Sequence, residues 1–191
     1  IIGELVSAVN LVMHEAEISE QALYHAFEGH QVLGSNVAGD RANVYTSFKL
    51  HSDGFSRILI QSKLLNSYQA GRLIQRMLEI ETYQMMALLS LPIARSLSPK
   101  VAKMENDLVA INQQMADSDK VNDGEMLDKL SELAGKTEQI IADISYRFSA
   151  TNAYYELVCS RLKQLKETDI AGTERINEFV TRRLSPGIRT S

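Results

Sequence analysis

Residues 125–167 read EMLDKLSELAGKTEQIIADISYRFSATNAYYELVCSRLKQLKE, and this stretch decides the fold. Its apolar and small side chains recur at alternating steps of four and three, the spacing of a helix that pairs with another helix. The recurring positions are Leu130, Ala134, Thr137, Ile141, Ile144, Phe148, Thr151, Tyr155, Val158, Leu162 and Leu165. Such a helix would be about 65 Å long, more than the diameter of a compact domain of this size. We therefore expect it to lie along other helices, to project, or to pair with a second copy.

The residues before this stretch predict two more helices. Asn66 or Ser67 can cap a helix that continues until Pro92 kinks or ends it. Ser98-Pro99 supplies the cap and the first turn of a restarted helix. The apolar seam of that helix consists of Val101, Met104, Leu108, Ile111 and Met115.

Loops and a basic tail complete the second half. A polar loop is predicted at 117–124, and Thr173 is predicted to cap a last short helix that Ser185-Pro186-Gly187 stops. The tail carries Arg175, Arg182, Arg183 and Arg189. This pattern is typical of a solvated helix face, or of a cytoplasmic flank if a membrane segment follows.

The first half mixes strand and helix signals. Residues 4–14 are apolar and rich in valine, which favours a buried strand although periodicity alone does not exclude a helix. Ser19 can cap a short helix that runs to about Glu28 and ends at Gly29.

The clearest β pattern is the alternation at 44–62, interrupted by Ser-Asp-Gly at 52–54. A three-residue loop there predicts a hairpin whose register joins apolar to apolar residues. In that register Phe48 pairs with Ile58, and Thr46 pairs with Ile60. Because an isolated hairpin is marginal in water, we expect a third strand or a helix beneath it.

These features predict an α+β fold dominated by helices. It would contain a small antiparallel sheet with the hairpin at about 44–62, followed by long antiparallel helices, one of them about 40 residues long. We expect a small head at 1–65 and a long-helix region at 66–191, joined as one continuous structural unit. Because residue 1 is Ile, the chain reads as a piece of a longer protein.

The composition excludes several classes of protein. The chain has 191 residues, a formal net charge of −4 and 45% hydrophobic residues, too apolar for a disordered protein. The acidic balance argues against a nucleic-acid partner, which would favour a basic surface. Cys159 is the single cysteine, so no intrachain disulfide can form. No uncharged stretch approaches the roughly 20 apolar residues of a membrane span.

One carboxyl group falls on an apolar helix face. On a helical wheel Glu81 lies among Ile74, Met77 and Leu88, where an unpaired carboxylate would be costly. Arg147 lies at the edge of the seam of the long helix, and we predict a buried Glu81–Arg147 pair between the two helices. Arg57 and Arg161 are the reserve partners. A structural role that fixes helix register is the simpler interpretation of such a pair.

No catalytic, cofactor-binding or metal-binding residues are predicted. The four histidines lack the spacing of a zinc helix, and His25 and His30 are expected at the surface. The acidic loop that starts at Asp119 fails as a calcium loop, because position three is Val121 and position twelve is Leu130. Nucleophile, phosphate-binding and dinucleotide motifs are absent from the sequence.

Four blocks of this sequence resemble a known family. They are GRLIQRMLEIETY at 71–83, RFSATNAYY at 147–155, RRLSP at 182–186 with Arg189-Thr190, and the stretch 44–55. From about Val37 onward the chain is similar to the bacterial predicted membrane-anchored proteins of unknown function (domain-of-unknown-function 3422 family). The resemblance implies two membrane spans in segments absent from this chain, an inner-membrane location and a cytoplasmic position for this part. It implies no site residues, because none are established for that family.

Three functions follow from these expectations, in decreasing order of support. The first is a non-enzymatic, membrane-proximal scaffold or regulatory module that self-associates through its long helices. The second is a ligand- or ion-sensing domain of a channel- or transporter-like assembly, because the implied layout is similar to that of CorA-type magnesium channels. The third is an enzyme that uses Glu81.

Overall fold

The computed structural model describes residues 5–117 and 123–189. The elements, in chain order, are β1 (Val9–His14), α1 (Glu20–Ala26), β2 (Leu33–Val37), β3 (Ala42–Thr46), β4 (Ser56–Ser62), α2 (Ser67–Leu88), α3 (Leu91–Asp117), α4 (Asp123–Leu165), β5 (Thr168–Asp169) and α5 (Ile176–Arg189). The α+β, helix-dominated fold is confirmed. Most of the predicted loop at 117–124, including Asp119 and Val121 of the rejected calcium loop, lies outside the described residues, as does Thr190.

The five strands form one mixed sheet in the order β1-β4-β3-β2-β5. A strand within the stretch 4–14 is confirmed over 9–14, parallel to β4. Its predicted burial was wrong, because it is an edge strand whose residues are half-buried or exposed. The other neighbours are antiparallel, so the expectation of a purely antiparallel sheet is corrected at this one edge. β1 can be parallel because the chain passes through α1, β2 and β3 before it returns beside β1 as β4.

The predicted hairpin exists, but its register was wrong. Thr46 pairs with Ile58 and Val44 pairs with Ile60, two residues away from the predicted alignment. The connection is longer than three residues because Phe48 leaves the strand with a φ of 47°. A shift of two residues keeps every side chain on its face of the sheet, so the buried set is unchanged.

Two strands gave no readable sequence signal. β2 reads Leu-Gly-Ser-Asn-Val, and its central inward residue, Ser35, is a fully buried polar side chain. The Ser35 hydroxyl accepts a hydrogen bond from the Ile176 amide at 3.1 Å, which explains a serine in the core. β5 has only two residues, and it covers part of the outer edge of β2.

The core lies between one face of the sheet and three helices. Inward residues of the strands, such as Val44 and Ile60, pack against α2, α4 and α5. α2 begins with a capping box in which Asn66 accepts from the Gln69 amide and Gln69 accepts from the Asn66 amide. The core draws residues from both the 1–65 and the 66–191 segments.

The long helices form an antiparallel hairpin. α2 and α3 follow each other with a bend at Leu89–Ser90, and α4 runs back alongside both as one unbroken helix of 43 residues. The restart predicted at Ser98-Pro99 was wrong, because α3 starts at Leu91 and continues through Pro99. A proline removes one backbone hydrogen bond, and the neighbouring turns of this helix tolerate that loss.

The last helix also continues past its predicted stop. The sequence Ser185-Pro186-Gly187 was expected to end it, whereas α5 extends to Arg189. Ser19 caps α1 as predicted, accepting from the Ala22 amide at 3.2 Å. Gly29 follows that helix with a φ of 72°, a conformation that favours glycine.

Candidate functional site

A cavity of about 560 Å³ opens where the sheet meets α2 and α5. One part of its wall is apolar and includes Phe48, Leu50 and Met85. The remainder is polar and charged, with contributions from His30, Lys49, Ser56, Glu81 and Arg183. A mostly apolar cavity with a few convergent polar groups is typical of a small-molecule site.

Glu81 supplies the carboxyl group of this cavity. It projects from the inner face of α2 and is only 3% exposed, so its predicted burial is confirmed. Gln84, one turn later, donates from Nε2 to Glu81 Oε2 at 2.7 Å. Burial raises the pKa of Glu81, while contacts with Ser56 and Gln84 and the charge of Arg183 act in the opposite direction. This carboxyl group can therefore hold a proton more readily than an exposed glutamate.

Arg183 brings a guanidinium group to the same cavity. Its Nη1 donates to the Phe48 carbonyl at 3.0 Å, which fastens α5 to the β3–β4 connection. The Phe48 ring stacks on Phe179 of α5, with centroids 6.0 Å apart. Arg183 was expected on a solvated basic face, and this was wrong because α5 turns that residue toward the sheet.

A buried hydrogen bond between Ser47 and His51, with Glu28 near the far side of the imidazole ring, supports the β3–β4 connection beside the cavity. Ser47 Oγ lies 3.1 Å from His51 Nε2, and His51 Nδ1 lies 3.6 Å from Glu28 Oε2. Burial lowers the pKa of His51, and the charge of Arg57 lowers it further. The order Ser-His-Glu matches that of a hydrolytic triad, but Ser47 is 2% exposed and does not line the cavity. We therefore assign Ser47, His51 and Glu28 a structural role in holding the β3–β4 connection.

The predicted Glu81–Arg147 pair does not form. Arg147 is exposed on α4, and no ion pair within residues 5–117 and 123–189 joins it to Glu81. In the antiparallel pairing of α2 with α4, Tyr83 stacks on Tyr154. Arg147 lies seven residues beyond Tyr154, about 10 Å farther along the helix, so it cannot reach the level of Glu81.

The reserve partners are also engaged elsewhere. Arg161 forms an ion pair with Glu79, on the neighbouring face of α2. Arg57 pairs with Glu28 at 2.9 Å and with Asp53 at 3.0 Å. Sequence reasoning identified the buried carboxyl group but not its neighbours, because one sequence does not define the axial register of two helices.

The histidines are distributed differently from the prediction. His25 is exposed as expected, but His30 is half-buried and its ring lies 5.0 Å from that of His51. In the described part of the chain no three histidine, cysteine, aspartate or glutamate side chains are grouped to hold a metal ion.

A second feature is the outer half of the helical hairpin, residues 98–117 of α3 and 123–146 of α4, which we call the distal arm. Here α3 and α4 touch only sparsely, and grooves of about 360 and 250 Å³ open between them. Ile111 is buried at this contact. Apolar side chains more than 40% exposed lie along both helices: Val101, Leu108, Val109, Met115, Leu127 and Ile141.

Along one row of α4 the exposed fraction of the apolar side chains increases from the inner to the outer half of the hairpin. Residues seven apart share a row, and Leu162, Tyr155, Phe148 and Ile141 follow each other on it. Leu162 is 3% exposed, Phe148 is 8% exposed and Ile141 is 56% exposed. The row thus emerges from the core as α4 leaves the sheet and α2.

The chain belongs to the family described as protein of unknown function DUF3422, which it matches over residues 1–191. The similarity therefore covers the whole chain and not only the part after Val37. No curated protein and no solved structure shows a significant match to it. In the described residues no helix combines the length and the hydropathy that crossing a membrane requires.

Proposed function

We propose that this chain is a non-enzymatic, membrane-proximal scaffold whose copies associate through the distal arm. The observation that carries the proposal is the row Leu162–Phe148–Ile141, which is buried near the sheet and exposed in the arm. The spacing of the row does not change between the two regions, so the arm retains a helix-pairing pattern without an equally close partner.

The exposed residues of the arm are arranged in rows on both helices. Val101, Leu108 and Met115 are seven apart on α3, and each is at least 42% exposed. Leu127 and Ile141 lie fourteen apart on one row of α4, with 64% and 56% exposure. An exposed apolar stripe of this length is typical of an interaction surface.

A second copy of the chain fits this surface best. The α4 part of the arm is about 36 Å long, and two adjacent helices are about 20 Å wide. One face of the arm therefore offers about 700 Å², close to the roughly 800 Å² per partner of a stable interface. A two-fold arrangement would place the α3 row of one copy against the α4 row of the other, because such an interface uses the same patch twice.

The membrane part of the proposal follows from the family resemblance. The implied spans would follow this chain, with the described domain on the cytoplasmic side of the bacterial inner membrane. Association of the arms would then fix the distance between neighbouring copies at the membrane.

The test is the mass of the 191-residue chain in solution across a wide range of concentration. We expect a concentration-dependent dimer, measured by sedimentation equilibrium or by light scattering. Ile141→Glu combined with Leu108→Glu should return the chain to a monomer, because each copy would bury two charges in the interface.

Leu64→Glu is the matched control. Leu64 is 76% exposed but follows β4, far from the arm along the fold, so its replacement should leave the mass unchanged. A chain that is monomeric at every concentration would contradict the proposal. Equal dissociation by the control variant would also contradict it, because the dimer would then use another surface.

A further inference from the structure

We propose that the cavity between the sheet, α2 and α5 binds a small organic anion with an apolar body, and that Arg183 receives its anionic group. The ligand class is a carboxylate or phosphate monoester attached to a short aliphatic or aromatic group. The inference is independent of self-association, because the cavity and the distal arm share no residues.

The charged groups of the cavity leave bonding capacity for a ligand. Arg183 has five N–H donors, and its one hydrogen bond to a described residue goes to the Phe48 carbonyl. Glu81 is bonded to Gln84, and no ion pair joins Glu81 to Arg183 in the described residues. The guanidinium group therefore faces the cavity with unused donors, which is the arrangement that recognises a carboxylate or phosphate.

The charge balance also favours an anion. Arg183 and Lys49 are cationic and His30 contributes further donor capacity, whereas Glu81 is the one acidic side chain that lines the cavity among the described residues. Burial disfavours the charged form of that carboxyl group. In its neutral form Glu81 can donate a hydrogen bond to the same ligand and would not repel it.

The apolar wall determines the body of the ligand. Phe48, Leu50 and Met85 offer no hydrogen bonds from their side chains, so an inorganic anion would leave this surface in contact with water. The volume of about 560 Å³ lies within the range of small-molecule sites. A compact amphipathic anion would satisfy the cationic part and cover the apolar part together.

The first experiment locates binding with the methionine methyl groups. Met85 lines this cavity, whereas the adjacent Met86 lines a separate groove with Ser90 and Tyr154. The 191-residue chain, labelled with ¹³C at the methionine methyl groups, would be titrated with hexanoate. We expect the Met85 resonance to shift in a saturable manner and the Met86 resonance to stay in place.

The second experiment measures separately how the apolar body and the anionic group of the ligand contribute to binding. In the series acetate, butyrate, hexanoate, affinity should rise by up to about fourfold for each added methylene, because each one buries apolar surface. Hexyl phosphate should bind at the same site, and 1-hexanol should bind at least tenfold more weakly than hexanoate. Equal binding of hexanol would overturn the assignment of Arg183, and equal binding of acetate would overturn the apolar body.

The third experiment uses neighbouring arginines. Arg183→Gln should weaken hexanoate binding at least tenfold, since it removes the charged donor. Arg182→Gln is the control, because Arg182 is mostly exposed, pairs with Glu174 and does not line the cavity. Thermal melting of each variant checks its folding, and Arg183→Lys retains the charge if the glutamine variant does not fold. An unmoved Met85 resonance in the parent chain, or equal losses in both glutamine variants, would overturn the proposal.

Discussion

The two halves of the helical hairpin use one sequence pattern in two different environments. Near the sheet, α4 packs closely on α2 and on α5, and Val158 and Leu162 are removed from water. In the distal arm α3 is the one described element that packs on α4, and Ile141 and Leu127 are more than half exposed. A repeat of apolar residues therefore specifies a helix and its apolar row, whereas the elements packed on that row, here the sheet, α2 and α5, determine how far it is buried.

Truncation of two leucines in the same row of α4 should give the largest difference between the two regions. Leu162 and Leu127 are 35 residues apart, five full repeats, with exposures of 3% and 64%. We expect Leu162→Ala to lower the free energy of unfolding by about 2–5 kcal/mol, because it leaves a cavity in the core. Leu127→Ala should cost less than about 1 kcal/mol, as measured by urea unfolding at low protein concentration.

The control for these two leucine variants is to repeat the unfolding measurements at different protein concentrations. If the arms associate, the cost of Leu127→Ala should grow as the protein concentration rises, because association stabilises the folded chain by mass action. Comparable losses for both variants in dilute solution would contradict the difference between the two regions.

The next largest effect concerns two glycines with opposite surroundings. A Cβ at Gly34 would lie 2.7 Å from Thr173 Oγ1, which itself donates to the Gly34 carbonyl at 3.1 Å. A Cβ at Gly135, in the arm, would meet no atom within 4 Å. Gly34→Ala should therefore destabilise the chain by about 1–3 kcal/mol, because the strand and Thr173 must move apart.

Gly135→Ala should instead stabilise the chain by up to about 1 kcal/mol, since alanine is the better helix former. Thermal melting of both variants beside the parent chain measures the two signs. A loss of stability in Gly135→Ala would indicate that the arm has a close neighbour at that position.

The smallest effect compares the pH dependence of two glutamates. Burial raises the pKa of Glu81 in the folded chain above its ordinary value of 4.5. The stability associated with its protonated form is full below 4.5 and is lost as the pH rises through the raised pKa of the folded state. Glu81→Gln should therefore become progressively more stable than the parent as the pH rises through that interval.

Glu132 in the distal arm should behave in the opposite way. A hydrogen bond from Lys136 lowers the pKa of Glu132, so its contribution is present above 4.5 and is lost as the pH falls. Denaturant unfolding of Glu81→Gln, Glu132→Gln and the parent across the acidic and neutral range measures how the stability of each variant relative to the parent changes with pH. Slopes of the same sign would mean that one of the two environments is misassigned.

Much of the fold could be predicted from local chemistry. The apolar row of α4, the Asn66 cap and the Ser19 cap depend on residues that are close in sequence, and these predictions were confirmed. β2 was not predicted, because its buried central residue is Ser35, whose hydrogen-bond partner, the Ile176 amide, is 141 residues away. Local patterns do not report a polar core residue that is satisfied over such a distance.

The candidate site was harder to predict than the fold. The helical wheel placed Glu81 correctly, because burial depends on a single helix. It did not place Arg183 beside Glu81 because these residues come from different helices brought together by tertiary packing. Phe48 was expected within a strand, and its positive φ removes it from the ladder and turns it toward the cavity.

The continuity of α4 has a mechanical consequence. The helix is unbroken from Asp123 to Leu165, and its last carbonyl accepts from the Ala38 amide, just after β2, at 3.2 Å. A force on the distal arm would therefore tilt α4 as one rigid helix, and the tilt would reach the end of β2 through the Leu165–Ala38 hydrogen bond. The α2–α3 side of the same hairpin contains the bend at Leu89–Ser90, so it can yield where α4 stays stiff. Pushing on the arm would then flex one side of the hairpin and rotate the other, so a load applied at the arm would reach β2.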